Sequence, residues 1–201
     1  MYGFDKKEVK ILRKLNKPWK IQDYLQSIPI NFEERGKTLM SPRRVMQTKK
    51  AHCFEGAIFA AAALWVNGDS PLLMDLYTAK NDSSHVVALF KHKSRWGAIS
   101  KTNHAVLRYR DPVYKNIGEL AMSYFHEYFL DDGKKTLLSY SEPLDLRRFK
   151  KRGWATAEKD LLYINDALNR IRHHEIIPAG ASKIIRRAEL IERKAGKITE
   201  W

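Results

Sequence analysis

Residues 47–66 read QTKKAHCFEGAIFAAAALWV, and Cys53 within them is the only cysteine of the 201-residue chain. From Cys53 onward the run stays apolar or small for about four helical turns. Gly56, Ala57, Ala60, Ala61, Ala62 and Ala63 make that helix thin, so neighbouring elements can pack closely on it. A thiol in its first turn meets unpaired backbone N–H groups and the positive end of the helix dipole, which favour the thiolate. The stretch therefore has two readings. One is a core helix with an inert thiol, and the other is a helix that presents a cysteine nucleophile.

Working outward, Val9, Ile11, Leu12 and Leu15, then Trp19, Ile21, Tyr24 and Leu25, mark two short amphipathic helices parted at Pro18. SIPINFEERGKTLMSPRRV reads as a loop, with Ser41-Pro42 opening a short helix through Val45 and Met46. Asn67-Gly68 closes the cysteine helix as a left-handed cap pair. PLLMDLYTA and HVVALFK follow as strands, and RWGAIS as the antiparallel return of the second. A further strand is expected over residues 105–109, broken by Asp111-Pro112. IGELAMSYFHEYFL reads as a helix over residues 117–130, and KTLLSYS as an extended piece. Residues 157–172 form an amphipathic helix, and 182–195 a last, basic one.

This order gives an α+β class: a central helix carrying the cysteine, packed on an antiparallel sheet, with flanking N- and C-terminal helices. One domain is expected over residues 1–201, with a core at about 40–140 and a basic C-terminal helical segment at about 155–195.

A chain 44% hydrophobic and 11% aromatic folds rather than remaining disordered. A single cysteine excludes an intramolecular disulfide framework and fits a reducing compartment. No apolar run approaches about 18 residues, and the first residues lack a signal-peptide core. A cytoplasmic location without a membrane span is the expectation. The formal charge of +14 is concentrated at Arg147, Arg148, Lys150, Lys151 and Arg152, and at Arg186, Arg187, Arg193 and Lys194. Such a surface attracts nucleic acid and other polyanions non-specifically. No nucleic-acid-binding motif accompanies it, so a solvated basic face explains it as well. The sequence fixes no oligomeric state.

His85 heads the first strong strand after the cysteine helix. With a two-residue loop at His92-Lys93 the hairpin register sets His85 opposite Ser100, and a slightly longer loop sets it opposite Lys101. A thiol nucleophile needs a base within hydrogen-bond reach, and the base needs a third group to fix its tautomer. His52 is expected to point to another side of the helix, and Glu55 to serve as a first-turn cap. His104, His126, His173 and His174 lack metal-ligand spacing, and His126-Glu127 lacks the second histidine of a zinc protease helix. No metal or cofactor is expected.

The order of cysteine helix, histidine strand and return strand resembles the transglutaminase-like branch of the papain-like cysteine peptidase fold. The resemblance rests on AHCFEGA at Cys53, the Gly68 turn, SHVVALF at His85 and RWGAIS, spanning roughly residues 40–105. It implies a Cys53 nucleophile, a His85 base and an acyl-enzyme mechanism on a protein or peptide substrate. Hydrolysis of peptide or isopeptide bonds, or acyl transfer to an amine, is the implied range. Gln47 lies six residues before Cys53, the separation at which papain-like proteases place an oxyanion-hole glutamine. That branch usually carries an aspartate where this chain has Ser100, with Asn103 and Asp111 further on. As orienting residue, Asn103 is ranked first, Ser100 second and Asp111 third. The missing acid also motivates a rival reading, an inactive relative that binds a protein or polyanion through its basic surface.

Overall fold

The computed structural model describes residues 2–34 and 36–200. Helices α1 (Lys6–Lys14) and α2 (Pro18–Ser27) form as the apolar spacing requires, with Asp5 capping α1 and Pro18 at the first position of α2. Ser41 caps the short α3 (Pro42–Thr48), and Lys49 ends it in the left-handed region at φ 51°. Helix α4 (Cys53–Val66) is buried from Phe54 to Val66. A helix apolar on every side has no face to give to water, so the fold surrounds it.

The α+β expectation holds, with an antiparallel sheet. Strands β1 (Leu72–Thr78), β2 (His85–His92), β3 (Arg95–Ile99), β4 (Arg110–Tyr114), β5 (Leu137–Ser141), β6 (Leu144–Asp145) and β7 (His173–Glu175) form one sheet. Its order is β4-β3-β2-β1-β5-β7, with β6 also pairing β1. Val86, Ala88 and Phe90 of β2 join the apolar layer that contains α4. Val87 and Leu89 alternate into a second layer with Tyr124, Tyr128 and helix α5 (Ile117–Met122). Both faces of the central strands are thus covered, which is why HVVALF carries no polar alternation.

The β2–β3 hairpin turns at Lys93 and Ser94, both at positive φ (44° and 67°), so that His92 pairs with Arg95 and Ala88 with Ile99. Continuing that register sets His85 opposite residue 102, two beyond the expected Ser100. A shift of two preserves the face, so Ser100 remains a diagonal neighbour of His85 on the same side.

Other expectations need correction. Residues 105–109 form no strand, and Asp111-Pro112 lies inside β4 instead of ending a strand. Proline is tolerated there because β4 is an edge strand. The helix expected over 117–130 stops at Met122, and a 3-10 turn (Phe125–Glu127) follows. Tertiary demand decides this: Glu127 leaves the helical path to bind the Leu107 N–H at 2.6 Å and Arg110 at 2.6 Å. The helix expected over 157–172 is shorter, α6 (Leu162–Arg170), with strand β7 after it, and the basic helix expected over 182–195 divides into a 3-10 turn (Ala181–Ile184) and α7 (Leu190–Gly196). No helix of the described residues is long and apolar enough to cross a membrane.

Candidate active site

Cys53 opens α4, half-buried, at the wall of a cavity of about 440 Å³. His52 and His85 line the same cavity. Both imidazoles act electrostatically on the thiol. Burial pushes the Cys53 pKa up, but the neighbouring His52 and His85 imidazoles outweigh it and lower the pKa to about 5. That lowering favours the thiolate at neutral pH, as does its place at a helix N-terminus.

The hydrogen bonds around His85 define its tautomer. Its Nε2 lies 2.7 Å from the Ser100 hydroxyl, and that hydroxyl donates its one proton to the Leu107 carbonyl. Ser100 Oγ must then accept from His85 Nε2–H, which leaves Nδ1 as the basic nitrogen. Serine thus fulfils the orienting role without a charge. The Leu107 carbonyl is itself fixed: Leu107 sits at φ 61°, and its N–H donates to Glu127 Oε2. A leucine in the left-handed region is strained, and it persists because Glu127, clamped by Arg110, holds it. From the other side, the Gln22 amide of α2 donates to the Ser100 carbonyl (2.8 Å) and accepts from the Ser100 N–H (3.0 Å).

His52 corrects the expectation that it points elsewhere. As N-cap of α4, its Nδ1 accepts from the Phe54 N–H (3.3 Å), while its Nε2 lies 2.8 Å from the Thr38 carbonyl. A second proton must enter at Nδ1, since Nε2–H is already engaged with Thr38, so protonation gives up the Phe54 bond. Burial opposes that proton, but the Cys53 sulfur and the Glu55 carboxylate favour it and raise the His52 pKa to about 9.

Glu55 is fully buried and does cap the helix, accepting from the His52 N–H at 3.0 Å. It also accepts from Asn31 Nδ2, the Thr38 hydroxyl (2.7 Å) and the Met40 N–H (3.1 Å). These donors compensate the buried carboxylate and tie the 31–40 loop beside His52.

The remaining expected residues are placed as follows. Asn103, ranked first as orienting residue, lines the cavity, but among the described residues no hydrogen bond joins its side chain to His85. Ser100 occupies that position because the two-residue register shift keeps it on the face of His85. Asp111 is exposed on β4 and outside the cavity. Gln47 is exposed near the end of α3 and does not line the cavity, so it supplies no oxyanion donor. The left-handed turn at Lys49 separates it from Cys53, and spacing along the chain does not survive such a turn. Among the described residues no group of three or more His, Cys, Asp or Glu could hold a metal ion.

Sequence reasoning missed Gln22, Leu107 and Glu127 entirely. It also missed the part His52 takes, although His52-x-x-Glu55 has the spacing of a capping box. Compared with models of known protein families and with curated protein sequences, the chain matches none.

Proposed function

We propose that the protein is a cysteine-dependent acyl-transfer or amide-hydrolysing enzyme with a transglutaminase-like core. The carrying observation is the Cys53 thiol at a helix N-terminus, on one cavity with the His52 and His85 imidazoles, the second of them oriented from behind by Ser100. The thiolate attacks an acyl carbon and the carbonyl π electrons move onto oxygen. The Cys53 N–H, at the first helical position where backbone donors lack intrahelical acceptors, is one donor for that oxyanion. Collapse of the intermediate expels the amine, which takes from His85 Nδ1 the proton that the Cys53 thiol gave up on forming the thiolate, and leaves a thioester. Water or a second amine, deprotonated by His85, then attacks the thioester and releases the thiolate.

The test is acylation of Cys53 by p-nitrophenyl acetate, followed as a burst of nitrophenolate and by intact mass. The expected result is a single acetyl group on the parent, absent from Cys53→Ala. A parent that shows no burst, or a Cys53→Ala variant that matches it, refutes the reading.

One observation favours a second reading. The residue behind His85 is an uncharged serine, and the chain carries a formal charge of +14. An inactive relative that binds polyanions would show no burst and would lose its partner steeply with salt.

A further inference from the structure

The segment after α7 does not hang free. An antiparallel bridge joins His104 to Thr199. Across it the Ala105 N–H donates to the Ile198 carbonyl at 2.9 Å, and the Glu200 N–H to the Asn103 carbonyl at 2.9 Å. These are backbone bonds, which any extended peptide can make. One side chain is read as well: Glu200 Oε1 accepts from Arg108 Nη2 at 2.8 Å and from Gln26 Nε2. Just upstream, Arg193, Gly196 and Lys197 form part of the wall of the Cys53 cavity. The segment therefore runs from the cavity, at Lys197, to an acid-binding pair at Glu200, three residues on.

Its attachment is exchangeable beyond a fixed upstream point. Ala188 is buried and its N–H donates to the Gly133 carbonyl at 2.8 Å, where a side chain on Gly133 would collide with Ala188. Past α7 the contacts lie near water: Ile198 is 61% exposed, the Lys197–Asp131 pair spans 3.0 Å between exposed side chains, and the Arg108–Glu200 pair is over a third exposed on average. Exposed pairs of this kind hold weakly and are screened by salt.

We propose that the backbone of residues 103–105, with Arg108 and Gln26, is a strand-docking edge of the candidate active site, and that residues 197–200 occupy it in place of substrate. The ligand class is an extended peptide with an acidic side chain three residues C-terminal to the position that meets the cavity. This rests on Cys53 being the acyl-transfer centre, and it adds the substrate class and a self-occupied state to that reading. A peptide enters by displacing the segment from its edge while Ala188 keeps the segment tethered.

The experiment compares two thiol reagents on the full chain, chloroacetamide and a maleimide carrying a long polyethylene glycol chain. Glu200→Arg places like charges on the edge and detaches the segment. The bulky reagent should react about tenfold faster and chloroacetamide within about twofold of the parent. Arg108→Glu should behave alike, and the charge-swapped double variant should return to the parent rate, an outcome that a merely unfolded variant does not give. Acetyl-Lys-Ile-Thr-Glu-amide should protect the thiol of Glu200→Arg, and the same peptide with glutamine in place of glutamate should not. An unchanged bulky-reagent rate in Glu200→Arg, or equal protection by both peptides, overturns the proposal. Neither reagent needs an acyl donor, so the results separate from those above. A released segment with no p-nitrophenyl acetate burst defeats the enzyme reading. A burst with no released segment defeats the docking edge.

Discussion

The two walls of the Cys53 cavity are held by different forces. The inner wall is buried: α4 is enclosed on all sides, His85 is buried, and Ser100 is fully buried between His85, Leu107 and Gln22. The outer wall, at Arg193, Gly196 and Lys197, is held by an Arg193 bond to the Asp131 carbonyl, by His104 Nδ1 at 3.1 Å from the Gly196 carbonyl, by the exposed Lys197–Asp131 pair and by a two-bond backbone bridge. Hydrogen bonds that water cannot reach keep their geometry, whereas exposed ion pairs exchange with solvent and salt. On the proposed reading, the reacting groups sit where position is fixed, and access is placed where it can change.

The contrast breaks first at the inner wall. His85→Ala removes the proposed base that Ser100 orients, and Cys53 acylation should fall by about 10²–10⁴-fold in burst kinetics. A rate near that of the parent would assign the base to His52 alone. Glu127→Ala leaves the Leu107 N–H without its carboxylate and should cost about 1–3 kcal/mol in denaturant unfolding. Because Leu107 positions Ser100, the variant should also move the pH profile of Cys53 alkylation, which Glu127→Gln should partly restore. A stability loss with an unmoved profile would make Glu127 structural only.

Gly56→Ala probes how closely the inner wall is packed. A Cβ there would stand 2.4 Å from Lys101 Cβ, and Lys101 is buried with its ammonium on the Leu25 and Ile28 carbonyls at the end of α2. The side chain cannot swing away without losing those bonds, so about 1–3 kcal/mol of destabilisation is expected by thermal or denaturant unfolding. A neutral substitution would show that the two elements separate easily. The smallest effect belongs to the outer wall. Raising salt toward 1 M, where screening acts within about 3 Å, should speed the bulky thiol reagent a fewfold and leave chloroacetamide unchanged. Equal effects on both reagents would place the salt response at the thiol itself.

The same division explains what could be read from the sequence. Helix α4 and strands β1, β2 and β3 were legible because each follows one local pattern: an alanine-rich run, short apolar runs (β-branched in β2) and turn residues between them. The hairpin parity brought Ser100 to the face of His85 although its register was off by two. Residues 101–109 were not legible. Their path is set by Glu127, by the strained Leu107 and by the 197–200 segment, all distant in sequence. Gln22 was hidden for the same reason, since its partner Ser100 lies 78 positions away. Gln47 misled because a count of six residues carries no direction once the chain turns at Lys49.

The most direct measurement is the rate of Cys53 alkylation by chloroacetamide from pH 4 to 10, in the parent, His85→Ala and His52→Ala. The thiolate is the reactive species, so the rate rises as pH passes upward through the thiol pKa. The parent should reach half its plateau near pH 5, with a second change near pH 9 as the His52 imidazolium loses its proton. Each histidine substitution should carry the first rise upward, toward the ordinary thiol value of about 8.5. A parent profile already centred near that ordinary value, and unmoved by either substitution, would contradict a thiolate held by two imidazoles.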